Sequence, residues 1–260
     1  MPAIVALVKH VPDTWSTKTL QADHRLDRGS VDNVIDEINE YSVEQALRLR
    51  DENPDAGYRV VALTMGPAAA DEALRKALAM GADDAVHVVD DSLAGADGLS
   101  TAWTLNAALN TIDDVQLITL GNAASDASTG LLAGLLAEYR QLPALTELRA
   151  ASLSEGTVRG TREDSRGHFE LEASLPALIS VTDKADKPRF PNFKGLMAAK
   201  KAEITTLDVA ALGIEAVAPT TEVLSAAQRP PREAGEVISE PDAAVAATKI
   251  ADYLVAKNLI

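Results

Sequence analysis

The chain has no cysteine. That excludes disulfides, thiolate-held iron–sulfur clusters, cysteine nucleophiles and cysteine zinc sites, and it fits a reducing compartment. Aromatics are scarce, with 2 Trp, 4 Tyr and 3 Phe in 260 residues. The core must therefore rest on Ala, Val, Leu and Ile, which suits helices packed on a parallel sheet. Basic residues are outnumbered, 24 Lys and Arg against 39 Asp and Glu, for a net charge of −15. A nucleic-acid backbone would be repelled, so nucleic acid is not an expected partner. No apolar run approaches the roughly 20 residues of a membrane span. Residues 1–9 show neither a basic n-region nor a long apolar h-region. No signal peptide and no direct membrane insertion are expected, and the expected location is cytoplasmic.

Catalytic signatures are missing as well. His10, His24, His87 and His168 lie far apart and form no H-E-x-x-H or other metal spacing, and there is no G-x-S-x-G elbow. Neither G-x-G-x-x-G nor G-x-x-x-x-G-K-[ST] occurs. The pairs Asp83-Asp84, Asp90-Asp91 and Asp113-Asp114 fall in turns, where carboxylates solvate loops. With no catalytic residue and no metal site in view, the chain reads as a binding or structural subunit rather than an enzyme.

What is present centres on residues 115–137. An apolar run, Val115 to Leu120, leads into Gly121-Asn122-Ala123-Ala124-Ser125-Asp126-Ala127-Ser128-Thr129-Gly130 and then an Ala/Leu-rich helical pattern. Strand, small-residue loop and helix N-terminus together let backbone N–H groups approach an anion, and the helix dipole favours negative charge there. Asn122, Ser125, Ser128 and Thr129 add side-chain donors. The stretch reads either as a nucleotide phosphate cradle or as a plain turn in which Ser128 or Thr129 caps the helix.

The rest of the first half alternates strand and helix. Residues 3–8 read as a buried strand followed by a loop, Lys9-His10-Val11-Pro12-Asp13, and residues 21–33 as a long polar loop or small hairpin. A helix is expected over 38–49, its preceding acids Asp36, Glu37 and Glu40 opposing the helix dipole. Strands are expected over 58–65, 85–89 and 115–120, and helices over 68–80 and 99–109. This alternation predicts an α/β fold, a doubly wound parallel sheet with helices on both faces. Ligands of such sheets sit at the carboxyl ends of the strands. Lys9-His10-Val11-Pro12, Met65-Gly66-Pro67 and residues 121–130 would converge there.

After Pro143 the pattern changes to antiparallel hairpins, with strands over 145–154, 157–163 and 168–173 and turns at Glu155-Gly156 and 164–167. An apolar strand follows over 177–182. Residues 183–201 carry Lys184, Lys187, Arg189, Lys194, Lys200 and Lys201, and Pro188, Pro191 and Gly195 predict an exposed loop. Phe190, Phe193, Leu196 and Met197 are set among those charges, which suggests a docking surface. Residues 217–239, with Arg229-Pro230-Pro231-Arg232 in the middle, read as an extended arm, and 242–260 as an amphipathic helix. Domains are thus expected at 1–216, including the loop 183–201, and at 217–260.

Specific motifs carry a family resemblance. Met65-Gly66-Pro67 with the stretch Glu72 to Asp83 resembles the G-P…(L/I)-R-x-A-L-A-M-G-A-D segment of electron transfer flavoprotein beta subunits. Val43 to Leu49 resembles that family's A-V-E-E-A-x-x-L helix. Leu175 to Val181, Pro188-Arg189-Phe190 and Met197 to Lys201 resemble its L-P-A-V…E-P-R-(Y/F)…M-x-A-K-K segment. Lys9, Val11 and Asp13 match its V-K-x-V-x-D start, and the similarity extends to Arg232-Glu233-Ala234-Gly235.

The resemblance implies a heterodimer whose alpha subunit holds the redox FAD and whose beta subunit buries one structural AMP. Electrons would arrive from flavin dehydrogenases of the acyl-CoA dehydrogenase type and leave to a membrane quinone oxidoreductase. AMP would lie against Leu7, Val8, Lys9, Asp36, Ile38, Asn39, Met65 and Gly121, Asn122, Ser125, Asp126, Ala127, Ser128, Thr129 and Gly130. Arg189, Phe190, Phe193, Leu196 and Met197 would dock the dehydrogenase, and the arm and helix of 217–260 would pack on the alpha subunit. Thr14 and Ile38 stand where some members place Tyr and Phe near the flavin, and Trp15 is expected to take over that packing. In electron-bifurcating relatives a second FAD replaces AMP. Two other classes compete with this reading: a homodimeric nucleotide-binding stress or signalling protein, and an adenylyl-transferring hydrolase. The basic-aromatic loop and the arm speak against the first, and the missing metal or base constellation against the second.

Overall fold

The first apolar run forms strand β1 (Ala3–Leu7), buried at every position. Side chains alternate across a strand, so Ala3, Val5 and Leu7 enter one core cluster and Ile4 and Ala6 the other. Being buried on both faces is what demands an unbroken apolar run. The computed structural model describes residues 1–227, 229–230 and 235–260. The family element expected at Arg232-Glu233-Ala234-Gly235 and the expected Arg229-Pro230-Pro231-Arg232 segment lie in part outside the described residues.

In chain order β1 is followed by β2 (His10–Pro12), β3 (Asn33–Ile35), α1 (Glu37–Asp51), β4 (Arg59–Met65), α2 (Asp71–Met80), β5 (Asp84–Val88), α3 (Gly98–Leu109), β6 (Val115–Gly121) and α4 (Leu132–Arg140). Then come β7 (Ala144–Ser154), β8 (Thr157–Asp164), β9 (Gly167–Ser174), β10 (Ala177–Val181), α5 (Phe193–Lys201), β11 (Thr205–Leu207) and α6 (Ala243–Ala256). The main sheet runs β11-β5-β4-β1-β6-β10-β7-β8-β9. Pairing is parallel from β11 to β7 and antiparallel from β7 to β9. α1, α2 and α5 cover the face of Ile4 and Ala6 with Val43, Leu47, Leu74 and Ala199. α3 and α4 cover the other with Leu105, Leu109 and Leu136. This is the doubly wound α/β sheet that the alternation predicts. Without large aromatics the core is a sum of many aliphatic burials, each worth about 1.5–3 kcal/mol for a fully buried Leu or Ile.

The order reverses at β1. From there the chain steps outward to β4 and β5, then returns through α3 to β6 on the other side. Beyond the carboxyl ends of β1 and β6 the connections part, and the crevice between them is where such sheets bind ligands.

Two local expectations are corrected. Residues 9–13 are not simply a loop: β2 pairs antiparallel with β3, His10 opposite Ile35 and Val11 opposite Val34. The pairing is nonlocal and too short for a periodic signal. Nor is 183–201 a loop throughout, because its second half is helix α5. The Asn192 side chain caps it by accepting from Gly195 N at 2.8 Å, which offsets the cost of Gly195 in the first turn. Gly195 is required there, since a Cβ would stand 2.5 Å from the Ala79 carbonyl oxygen of α2.

The chain divides into two compact units, Met1–Leu224 and Ser225–Ile260. Near the end of the first, Asp97 holds the chain at Thr220 and Thr221. Its carboxylate accepts from Thr220 N at 2.8 Å and Thr220 Oγ1 at 2.9 Å, and from Thr221 N at 3.2 Å. The second unit contains α6, capped by Asp242, which accepts from Ala244 N at 2.8 Å. No helix among the described residues is long and apolar enough to cross a membrane.

Candidate functional site

The crevice is lined by the end of β1, the first turn of α1, the end of β4 and the loop after β6. Hydrogen bonds lock these four together. Lys9 N donates to Asn39 Oδ1 at 2.8 Å, and Asp36 N donates to Lys9 O at 2.9 Å. Thr64 Oγ1 donates to Val8 O at 2.8 Å. Ser125 N donates to Asp36 Oδ2 at 2.8 Å. Leu7, Val8, Lys9, Asp36, Ile38, Asn39, Gly121 and Ser125 are therefore gathered in one place, although more than 100 residues separate the ends of that set. Met65 ends β4, beside β1 in the sheet.

Asp36 differs from its sequence-level explanation. It is the N-cap residue of α1, yet its side chain makes no cap hydrogen bond. The carboxylate is buried and serves the loop amide of Ser125 instead. Gly121 is equally constrained. A Cβ there would stand 2.6 Å from Ile38 Cγ2 and 3.2 Å from Asn39 Nδ2, so only glycine lets α1 approach β6 this closely.

The loop leads into α4 without capping it. α4 starts at Leu132 with Leu131 as N-cap and no side-chain cap, so neither Ser128 nor Thr129 caps it. The Ser128 amide is used internally, donating to Ala124 O at 2.8 Å. Among the described residues the amides of Asp126, Ala127, Thr129 and Gly130 have no protein acceptor. Ser128 and Gly130 adopt positive φ, 49° and 63°. Free N–H groups beside an uncapped helix start are the arrangement that accepts an anion.

Asp126 carries the charge of this loop, and its side chain is 0% exposed. It accepts from Lys9 Nζ at 2.7 Å and pairs with Arg28. Burial pushes the carboxyl up, but Lys9 and Arg28 outweigh burial and hold it below the ordinary carboxylate value. Arg28 was invisible in the sequence, one basic residue in a polar stretch; only the β2–β3 connection brings it 98 positions along the chain to the loop. One of its guanidinium nitrogens, Nη1, is buried without an acceptor. A surplus N–H of this kind fits an additional anionic oxygen.

The sign of the pH dependence follows. A carboxyl depressed in the folded state stabilises above its unfolded value, 3.8, and that contribution is lost as pH falls below it. Asp126→Asn should therefore cost about 1–2 kcal/mol at neutral pH, less than a fully buried pair because Lys9 and Arg28 are 40% exposed. Thermal melts of the two proteins should converge as pH falls through the depressed value, and a difference that does not narrow on acidification would contradict the assignment.

Trp15 is 96% exposed. It rims a cleft of about 490 Å³ together with Thr14, Val34, Ile35 and Glu37. The last of these adjoins Asp36. The expected docking residues lie elsewhere, at the start of α5. Phe190 and Phe193 are 95% and 79% exposed, with Leu196 and Met197 also on the surface. Arg189 is half-buried beside Phe190. Its guanidinium faces α1, where Nε donates to Glu44 Oε2 at 2.8 Å and Nη1 to Asp51 Oδ2 at 2.9 Å. Among the described residues no cluster of three or more His, Asp or Glu could hold a metal ion.

Comparison with known proteins adds an independent line. A family model described as "Electron transfer flavoprotein domain" matches residues 24–212. The chain is 46% identical over 269 residues to electron transfer flavoprotein subunit beta of Mycobacterium bovis, covering 100% of both chains. It is 34% identical over 218 residues to the protein of the same description from Megasphaera elsdenii, covering 82% of this chain and 80% of that one. It is 29% identical over 262 residues to caffeyl-CoA reductase-Etf complex subunit CarD of Acetobacterium woodii, covering 99% of both.

Proposed function

The chain belongs to the electron transfer flavoprotein family, as a beta subunit, and from that premise we propose that its crevice holds one AMP as a structural ligand. With an alpha subunit it forms a heterodimeric electron carrier. On its own it is not an enzyme. Electrons reach the heterodimer from flavin dehydrogenases of the acyl-CoA dehydrogenase type and leave to a membrane quinone oxidoreductase.

One observation carries the AMP assignment: the free amides of Asp126, Ala127, Thr129 and Gly130 meet Lys9 and Arg28 at the switch point of the sheet. The phosphate takes those amides and the spare Arg28 nitrogen. Leu7, Val8, Ile38, Asn39 and Met65 enclose the adenosine, and Asp36 keeps the loop shaped through the Ser125 amide. Asn122, Ser125 and Ser128 complete the loop's polar edge. The redox chemistry is that of FAD, held mainly by the alpha subunit. Trp15, exposed at the rim of its cleft, is the residue of this chain that would pack against the flavin. The surface of Phe190, Phe193, Leu196 and Met197 docks the dehydrogenase, and residues 217–260 pack on the alpha subunit.

Calorimetric titration of the nucleotide-free chain with AMP, ATP and FAD tests the assignment. One tight AMP site per chain is expected, with ATP weaker because the loop offers few amides beyond one phosphate. Preference for FAD, or no binding, would contradict it.

A further inference from the structure

We infer that Glu44 and Arg189 form a clamp that holds the Phe190–Met197 surface in its docking geometry, which makes Arg189 a positioning residue rather than a docking contact. The inference rests on the docking role proposed above.

Glu44 lies in the middle of α1 with its side chain 6% exposed. Its carboxylate takes Arg189 in three ways. The backbone N donates to Oε2 at 3.0 Å, the side-chain Nε to the same oxygen at 2.8 Å, and Nη2 to Oε1 at 3.0 Å. Arg189 Nη1 goes to Asp51, itself held by Arg50. Each of the three guanidinium nitrogens thus has an acceptor within the chain, which commits the fork to α1. Because the backbone amide shares the same carboxylate, the main chain is fixed one residue before the exposed Phe190. A second grip precedes it. Asp186 accepts from Gln45 Nε2 at 3.2 Å and pairs with Arg48, again on α1, while Ala185 is buried.

The far side of the surface is fastened to α2. Gly195 lies against the Ala79 carbonyl, and Arg75 Nη1 donates to Ala199 O at 2.7 Å. Four exposed apolar side chains are thus carried on a segment anchored at both ends. A loose loop would lose its freedom on each encounter with a partner, whereas an anchored one has lost it during folding. A planar fork matched to a carboxylate gives a defined orientation that an ammonium does not.

The test uses the heterodimer carrying Glu44→Gln, with Arg189→Lys as a second variant that keeps the charge and removes the fork. Phe193→Ala serves as the reference. Tryptic cleavage after Arg189 and Lys194 should be about tenfold faster in Glu44→Gln, and KM for the dehydrogenase should rise about tenfold with kcat little changed. AMP and FAD contents should stay as in the parent. Unchanged cleavage would overturn the clamp. Faster cleavage with unchanged KM, while Phe193→Ala raises KM, would overturn the positioning role and leave the docking role standing. No change in KM for any of the variants would remove the docking role and the inference with it.

Discussion

Replacing Phe193 with alanine is expected to lower kcat/KM for reduction by an acyl-CoA dehydrogenase at least about 30-fold, the loss that a buried aromatic anchor worth about 2 kcal/mol brings. The side chain opens α5 and is 79% exposed, with Phe190 at 95% three residues earlier. An aromatic so exposed adds little to its own core, so truncation should move stability by no more than about 0.5 kcal/mol. Bound AMP should also be unaffected, because the nucleotide crevice is built from the ends of β1 and β6 and not from α5. Stopped-flow reduction, read beside a thermal melt and an AMP assay, separates these effects. An unchanged rate would take the anchor role from Phe193.

Gly121→Ala is expected to have the larger effect on the protein itself. The added methyl would stand 2.6 Å from Ile38 Cγ2 and 2.8 Å from Ile38 Cγ1. Ile38 is branched at Cβ and cannot swing clear by one rotation, so the first turn of α1 must shift. That turn holds Asn39, which accepts the Lys9 amide, and Asp36, which accepts the Ser125 amide. Overpacking of this kind costs about 1–3 kcal/mol, or a fall in Tm of roughly 2–12 °C at this size. Most of the AMP should be lost on gel filtration. The double variant Gly121→Ala/Ile38→Ala removes both clashing carbons and should recover part of the Tm and of the AMP. Recovery in neither would contradict the steric account.

Much of the sheet could be read from the sequence because its central strands are buried on both faces. Ala3–Leu7 appears as an unbroken apolar run, Val115–Gly121 as a mostly apolar one interrupted by Gln116 and Thr119, and the 71–80 helix as a regular apolar pattern ended at Gly81. The loop 121–130 was legible for a similar reason: small polar residues between a buried strand and an Ala/Leu helix leave few local alternatives. What escaped depends on distant partners. The β2–β3 ribbon joins segments that each look like polar loop, and β11 (Thr205–Leu207) gains its identity only by pairing with β5. α5 was hidden by Pro188, Pro191 and Gly195, residues that break helices in isolation; the Asn192 cap and the Ala79 contact reverse that preference. Arg28 and the second use of Asp36 were hidden because an ion pair or a loop contact leaves no periodic trace. Arg189 could be picked out by motif, but only the geometry shows its bond to Glu44.

The most direct test of the central claim is a cofactor inventory of the complex with its alpha subunit, purified, denatured and resolved by chromatography. The account predicts one AMP and one FAD per heterodimer. Two FAD and no AMP would contradict it, making the crevice of β1 and β6 a redox site and the protein a candidate for electron bifurcation.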